Sequence, residues 1–232
     1  MKSKLKKFLK ESFLTKWLYR ALWKIKYRKS LKFYKQKRDA LQKNGARLIH
    51  FLQKTLEGEK FFFDMGTLLG IVREGRLLGH DLDIDVGLYA DGEQGVERVR
   101  ETLIKNGCKL KSTYKVEEIG VVEDSFLIEE VKFDVSYYYK EEDVDAVYLM
   151  YDAQEGKPAK VVKLCCSPIE EIGQVSFKGG DINVPKDSLK YLAERYGENW
   201  RIPDKNYIYW KGPSARQTNF EGIITIYDNK GE

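Results

Sequence analysis

The 232-residue sequence contains little histidine and cysteine, and this shortage excludes several kinds of site. Two histidines and three cysteines, of which two are adjacent, supply neither the ligand spacing of a zinc site nor the even framework of a disulfide-rich secreted domain. The cysteine usage therefore predicts a reducing, cytoplasmic location. A metal site in this chain has to use oxygen ligands, and Mg²⁺ or Mn²⁺ is the cation that fits such ligands.

Long apolar runs are also absent. No stretch approaches the length of a membrane span, and no hydrophobic core of a secretory signal is present, so the sequence predicts a chain that does not cross a membrane by itself. Positive charge, by contrast, is concentrated at one end. Residues 1–38 contain 15 of the 41 Lys and Arg residues and a single acid, Glu11, which gives this segment a net charge of +14.

The basic N-terminal segment has the pattern of an amphipathic helix. Apolar side chains recur at the spacing of one helical face, at Leu14, Trp17, Leu18, Ala21, Leu22 and Ile25. With Lys and Arg on the other face, the pattern favours attachment to an anionic membrane surface. The alternatives are a helix that packs on the domain and an arm that binds nucleic acid, which is disfavoured because no RNA-binding fold follows.

The sequence predicts a mixed α+β domain at residues 39–213, preceded by the basic helical segment at residues 1–38 and followed by a loose tail at residues 214–232. Helical patterns within the domain lie at residues 39–57, 67–72, 92–106 and 185–196. Strand-like segments lie at residues 61–64, 80–88, 109–122, 126–139, 144–150 and 160–164.

Three aspartates alternate in the predicted strand at residues 80–88. If Ile84 points into the core, the period of two places Asp81, Asp83 and Asp85 on one face of the sheet. Like charges that close repel each other, so a bound cation, a nearby Arg or protonation has to offset the repulsion. The alternative, an acidic strand end in solvent, leaves the neighbouring turn and its basic residues unexplained, and the spacing does not match an EF-hand loop.

A small-residue turn precedes the acidic strand. Gly66 ends the strand at residues 61–64, and the backbone N–H groups from Thr67 onward open a short helix, which is a natural seat for a phosphate group. Arg73 and Arg76, between this helix and the acidic strand, are suited to bind the remaining phosphate charge. The segment therefore predicts phosphate binding next to the aspartates.

A further aspartate lies in a later strand. Asp134 alternates with Val and Phe residues in the segment 126–139, where aspartate is disfavoured, so its presence needs a reason. Asp83 and Asp85 from one strand and Asp134 from another form the parts of a phosphoryl-transfer site that holds one or two Mg²⁺ ions.

These motifs resemble the LicD family, which includes fukutin and the fukutin-related protein. The resemblance rests on an Asp-x-Gly-Thr-Leu-Leu-Gly motif, a following Arg and an Asp-x-Asp-Ile-Asp motif, which here begin at Asp64, Arg73 and Asp81. A closing block is also similar, with its members at Tyr191, Leu192, Tyr196, Gly197, Trp200 and Pro203.

The resemblance implies a nucleotidyltransferase-like core, in which a small mixed sheet is flanked by helices. It also implies an activity: transfer of a phosphorylated alcohol from a CDP-type donor to a sugar hydroxyl of a cell-surface glycan, such as a capsule or lipopolysaccharide. The alcohol phosphate could be phosphocholine, ribitol phosphate or glycerol phosphate. An acceptor carried on a lipid would suit an enzyme peripheral to the inner membrane face.

The resemblance further implies roles for individual residues. Asp83 and Asp85 would ligate the metal, and Asp134 would be a third ligand or the base that takes the acceptor proton. Asp81 would orient a ligand, and His80, which stands where many relatives have Trp, would lie in the substrate region or serve only as a capped or half-buried side chain. Two alternatives remain open: a nucleotidyltransferase that adds NMP to a small molecule, RNA or protein, and a membrane-docked binding module with an inactive site.

Overall fold

The computed structural model describes the backbone of residues 13–227 and the side chains from Tyr27 onward. In this part of the chain the elements alternate between helix and strand at first and are then mostly strands. In chain order they are α1 (Phe13–Thr55), β1 (Phe61–Phe63), α2 (Met65–Glu74), β2 (Asp83–Leu88), α3 (Gly92–Lys105), β3 (Lys109–Val116), β4 (Gly120–Ile128), β5 (Val131–Lys140), β6 (Asp145–Tyr151), β7 (Ala159–Cys166), β8 (Ile172–Phe177), β9 (Gly180–Pro185), α4 (Ser188–Tyr196), a 3₁₀ turn (Tyr209–Lys211) and β10 (Ala215–Ile226).

Eight strands form one curved sheet in the order β1-β2-β5-β4-β3-β10-β7-β6, and β5 also pairs with β6. This second pairing, which joins Tyr138 to Val147 and Lys140 to Asp145, closes the strands from β5 to β6 into a barrel-like ring. Among the described pairings only β2 and β5 run parallel. The mixed α/β class predicted from the sequence is confirmed, but the expectation of a small sheet is wrong because strands from the second half of the chain extend it and close it.

Helix α1 runs for 43 residues without a break, across the boundary expected at residue 38. Its C-terminal half packs its apolar stripe into the main core, where Leu41, Leu48, Leu52 and Leu56 are fully buried. Farther toward the N-terminus, the exposed fractions of Tyr27, Leu31 and Tyr34 are 51%, 48% and 47%. The side chains of the predicted stripe from Leu14 to Ile25 lie outside the described residues. Among the described helices, none has the length and apolar character that a bilayer span requires.

The core consists of clusters on the two faces of the sheet. One face packs on α1 and α3 through Ile84, Val86, Phe133 and Val135, which are buried. The other face carries α2 and α4, whose apolar residues pack on Tyr138, among other buried groups. Residues that alternate with Ile84 and Phe133 along β2 and β5 therefore face the side of α2, and this is the face on which the polar residues lie.

The loose tail expected beyond Pro213 is wrong for residues 215–226, which form β10. This strand pairs with β3 on one side and β7 on the other. Its sequence begins with polar residues and contains Gly222, which weakened the strand signal. In the structure Gly222 packs closely against Met150, because a Cβ there would lie 2.0 Å from Cε of Met150 and displace that side chain.

Two hairpins also differ from the sequence-based expectation. The predicted strand at residues 109–122 is the hairpin of β3 and β4, which turns between Val116 and Gly120. The hairpin of β8 and β9 was not predicted, although Lys178 and Gly179 both have positive φ in its tight turn. Strand β2 begins at Asp83 rather than at His80, so Asp81 belongs to the loop that leads into the strand.

Candidate active site

The parallel pair of β2 and β5 brings the three predicted carboxylates onto one face. Asp85 stands beside Asp134 in the register of the two strands, and Asp83 stands beside Lys132. Because Ile84 is fully buried in the core on the opposite face, Asp83 and Asp85 point toward α2. The common face that alternation predicted is therefore present for Asp83 and Asp85, whereas Asp81 lies in the loop before the strand.

Lys132 occupies the middle of this cluster. Its Nζ lies 2.5 Å from Oδ2 of Asp134 and 3.3 Å from Oδ2 of Asp83. Ser125 of β4 donates a hydrogen bond of 2.6 Å to the other oxygen of Asp134. Sequence reasoning missed Lys132, although its spacing of two residues from Asp134 on a strand would have placed it on the same face.

Asp85 lies at the N-terminus of α2. The backbone N–H of Thr67 donates to Oδ2 of Asp85 over 3.2 Å, and the backbone N–H of Asp85 donates to Oγ1 of Thr67 over 2.9 Å. Burial raises the pKa of Asp85 well above its usual range, and the charges of Asp83 and Asp134 raise it further. The helix N-terminus predicted to seat a phosphate thus engages a carboxylate through Thr67.

Asp81 lies close above Gly66. A Cβ at Gly66 would come within 2.7 Å of Oδ2 of Asp81, so only glycine leaves room for this carboxylate. Oδ2 of Asp81 is buried and has no hydrogen-bond partner. Burial raises the pKa of Asp81 to about 6; the charge of His80 opposes the shift, and that of Asp83 adds to it. His80 itself is 77% exposed, with Nε2 at 3.8 Å from Oδ1 of Asp81.

The two predicted phosphate-binding arginines share a carboxylate that sequence reasoning did not single out. Arg73 donates to Oε1 of Glu74 over 2.9 Å and to the backbone oxygen of Trp200 over 3.3 Å. Arg76 pairs with Oε2 of the same Glu74 at 2.8 Å, and its side chain is 60% exposed. Arg73 therefore lies inside the site, and Arg76 lies at its rim.

A buried hydrogen-bond network supports the start of α2. The carboxylate of Asp64 caps the helix by accepting from the N–H of Met65, and it also accepts from the hydroxyls of Tyr138 and Tyr191. Nη2 of Arg195 donates to both hydroxyls over 2.6 Å. Met65 has a φ of 44°, an uncommon conformation for a residue with a side chain. The network ties α4 to the turn that carries Gly66 and Thr67.

Glu123 of β4 is a fourth carboxylate on this face. In the register it stands opposite Ser136 of β5, whose hydroxyl lies 3.4 Å from Oε2 of Glu123. Burial raises the pKa of Glu123 to about 8, and the charge of Asp134 contributes to the shift, while Lys132 opposes it. Sequence reasoning missed Glu123 because its face depends on the pairing of β4 with β5.

The oxygen ligands that the site offers are of the type that a divalent metal ion prefers. Asp83, Asp85 and Asp134 offer hard oxygen ligands from neighbouring strands, and Oδ2 of Asp81 is a buried acceptor without a partner. As they stand, however, the described residues include no group of three or more His, Cys, Asp or Glu side chains that could hold a metal ion. Two of the carboxylates contact Lys132 instead.

A cavity of about 220 Å³ lies apart from these carboxylates, beside the start of α4. Ser167 and Glu194 line it, and they are bonded to each other through the N–H and the hydroxyl of Ser167. None of the aspartates of the acidic cluster lines this cavity. The carboxylate cluster and this cavity are therefore separate features of the described structure.

Comparison with known proteins identifies relatives of the chain. Residues 58–187, more than half of the sequence, match the family model described as LicD/FKTN/FKRP, nucleotidyltransferase domain. Ribitol-5-phosphate transferase FKTN of Homo sapiens is 26% identical over 221 residues, which is 88% of this chain and 44% of that protein. The proteins of the same name from Macaca fascicularis and Mus musculus are each 25% identical, covering 88% and 81% of this chain.

The chain spans less than half the length of these curated relatives. The matched segment contains the acidic strand, the turn at Gly66 and the strand that carries Asp134. The similarity therefore includes every element that carries the carboxylate cluster. On this match, the chain belongs to the LicD/FKTN/FKRP nucleotidyltransferase-domain family.

Proposed function

We propose that this chain is a transferase of phosphorus-containing groups, which moves a phosphorylated alcohol from a CDP-type donor to a sugar hydroxyl of a glycan. The observation that carries the proposal is the cluster of Asp83, Asp85 and Asp134 at the N-terminus of α2, inside the segment that matches the family. The name of the relatives, ribitol-5-phosphate transferase, supports ribitol phosphate as the first group to test. Phosphocholine and glycerol phosphate are the other candidates.

The proposal includes a divalent cation, Mg²⁺ or Mn²⁺, held by Asp83, Asp85 and Asp134. When bound, such an ion would neutralise charge on the phosphates of the donor. Thr67 fixes the orientation of Asp85 through two hydrogen bonds: its N–H donates to the carboxylate, and its hydroxyl oxygen accepts from the N–H of Asp85. Ser125 fixes Asp134 by donating a hydrogen bond to its carboxylate. Each of these contacts leaves at least one oxygen lone pair of the carboxylate for a ligand.

We assign roles to the remaining residues of the site from their positions. Arg73, the inner arginine, contributes positive charge for the donor phosphates, and Arg76 and His80 at the rim meet the more exposed part of the donor. Gly66 and Thr67 form the turn against which the donor lies, and Asp81 above Gly66 orients it. Asp134 is either a ligand or the base that takes the acceptor proton.

The fold and location belong to the same proposal. We take β1, α2, β2 and β5 as a nucleotidyltransferase-like core, because they hold the matched motifs and flank the cluster. Residues 1–38 are proposed to attach the enzyme to the anionic inner face of a membrane from the cytoplasm, where a lipid-linked acceptor would be reached. Their excess of Lys and Arg supports this proposal, since each basic residue near such a surface contributes on the order of 1 kcal/mol.

The test is a transfer assay with the full chain. The protein is incubated with Mg²⁺, a panel of glycan acceptors and one of CDP-ribitol, CDP-choline or CDP-glycerol. The masses of the products are then measured by mass spectrometry. We expect Asp85→Asn to lower kcat/KM by about a hundredfold or more, since it removes a charge on which the bound cation depends. Asp143→Asn, a change at an exposed loop aspartate, is the matched control and should leave the rate unchanged.

The product masses separate the proposal from its alternatives. Addition of an alcohol phosphate supports it, whereas addition of NMP would identify a nucleotidyltransferase. If wild-type protein shows neither transfer nor a metal-dependent rise in melting temperature with CDP or UDP compounds, the chain is a binding module with an inactive site. Full activity of Asp85→Asn in an otherwise active preparation would overturn the assignment of the cluster.

A further inference from the structure

We propose that Lys132 is the resident counter-ion of the metal-free site, and that a divalent metal ion binds only after displacing its ammonium group. This inference rests on the proposed function, because it takes Asp83 and Asp134 as ligands of the metal. It adds a residue to the site and gives the site two exclusive states, one closed by a lysine and one occupied by a metal ion.

The geometry of the sheet places the ammonium where two ligands meet. Lys132 precedes Asp134 by two residues on β5, and the parallel register sets it directly beside Asp83 of β2. Its Nζ contacts Oδ2 of Asp134 at 2.5 Å and Oδ2 of Asp83 at 3.3 Å. A cation held between the Oδ2 atoms of these two carboxylates would occupy the position where the ammonium of Lys132 lies.

The charges of the cluster favour this contact. Asp83, Asp85, Asp134 and Glu123 lie together on one face, and like charges at this spacing repel each other. Among the described residues, Lys132 is the only cation within ion-pair distance of Asp83 or Asp134. The two arginines of the site are paired with Glu74 instead. Without a metal ion, Lys132 is therefore the cation that pairs with two of the three proposed ligands, Asp83 and Asp134.

The same contacts engage one oxygen of each of two proposed metal ligands. Asp83 and Asp134 direct an oxygen at the ammonium, and no group of three acidic or other ligand side chains among the described residues could hold an ion in that arrangement. The ammonium at these oxygens opposes the binding of a divalent cation there, because the two positive charges repel each other. The flexible four-carbon stem of lysine allows the ammonium to leave while β5 stays in place.

The experiment measures Mn²⁺ binding to the full chain by isothermal titration calorimetry, without any donor. Lys132→Met removes the ammonium and keeps much of the apolar stem, and Lys160→Met, at an exposed lysine of β7, is the matched control. If the open arrangement is populated about a tenth of the time in the wild type, the apparent Kd for Mn²⁺ should be about 10-fold lower in Lys132→Met. Lys160→Met should bind as the wild type does.

A second variant keeps the test informative if Lys132→Met unfolds. Lys132→Arg retains the positive charge, so it should bind Mn²⁺ no more tightly than the wild type. Thermal melting gives a further readout: the metal-free Lys132→Met protein should melt below the wild type, because two carboxylates lose their partner, and Mn²⁺ should raise its melting temperature by a larger amount.

The outcomes separate this inference from the proposed function. Equal or weaker Mn²⁺ binding by folded Lys132→Met, with binding retained by the wild type, would overturn the role of Lys132 and leave the metal site intact. Tighter binding by Lys132→Arg would equally contradict it. If neither the wild type nor any variant binds Mn²⁺, the metal dependence in the proposed function fails together with the inference.

Discussion

At the scale of single residues, Gly66 shows how a missing side chain shapes the site. The carboxylate of Asp81 fills the space that a Cβ at Gly66 would need, and it does so next to the N-terminus of α2. Oδ2 of Asp81 is buried there without a partner. One added methyl group at Gly66 would therefore displace the carboxylate of Asp81, which belongs to the proposed donor site.

We predict that Gly66→Ala separates activity from stability. Alanine favours helix by about 1 kcal/mol over glycine, and the Asp81 side chain can rotate away, so the free energy of unfolding should change by less than about 1 kcal/mol. The displaced carboxylate should lower the transfer rate by roughly tenfold to a hundredfold, because small misplacements in a reacting site are costly.

Urea unfolding and the transfer assay measure the two effects of Gly66→Ala. Gly79→Ala is the matched control, since the nearest atom to its new Cβ would be Nη1 of Arg76 at 3.9 Å and the residue is exposed. Both properties should stay at the wild-type value in this control. Unchanged turnover by Gly66→Ala would show that Asp81 does not act on the donor.

How much of the site could be predicted depended on the range of the interactions. Asp83 and Asp85 could be placed on one face because a period of two is a local property of strands. That Asp134 joins them depends on the parallel pairing of β2 with β5. Glu123 and the contact of Lys132 with Asp83 could not be placed, since they depend on a register between segments that lie up to 49 residues apart. Arg195 was missed for the same reason: its partners lie on other elements.

At the scale of elements, α1 is one helix with two environments. Its C-terminal half is part of the main core, where Leu41, Leu48 and Leu52 recur at the spacing of one helical face. Tyr27, Leu31 and Tyr34 continue the same helical face toward the N-terminus but are about half exposed. An exposed apolar face among lysines and arginines is what an interfacial helix presents to a membrane.

We predict that residues 1–38 carry the membrane attachment of the chain. In a flotation assay, the full chain should rise with vesicles that contain anionic lipid. A protein lacking residues 1–38 should stay in the bottom fraction of the gradient. Neutral vesicles serve as the control and should carry neither protein, because the attraction is largely electrostatic. Equal flotation of both proteins with anionic vesicles would assign the attachment to another part of the chain, or to none.

At the scale of the whole molecule, closure of the sheet depends on its last strand. β10 joins β3 to β7, two strands that otherwise have no partner on that side in the order of the sheet. The sequence did not reveal this position, because nothing local to residues 215–226 specifies which two strands they will separate. The mixed class of the fold followed from local patterns, whereas its barrel-like closure is a property of long-range pairing.

We predict that a chain ending after Pro213 loses cooperative unfolding. Without β10, the edges of β3 and β7 are open and their backbone groups lose their hydrogen-bond partners, so the midpoint in urea should fall sharply or the transition should broaden. A chain that ends after Tyr227 keeps β10 and is the control, with the wild-type midpoint expected. A sharp, wild-type transition in the shorter chain would mean that the sheet is stable without closure.

The late position of β10 in the sequence also has a consequence for synthesis. While the ribosome makes the chain, β3 and β7 are complete well before the residues that will lie between them. During that interval two strand edges are open to other chains, and open edges are where nascent proteins aggregate. Slow translation between residues 166 and 215 would lengthen this exposure, so the yield of soluble protein in cells should depend on codon choice and on chaperones in that window.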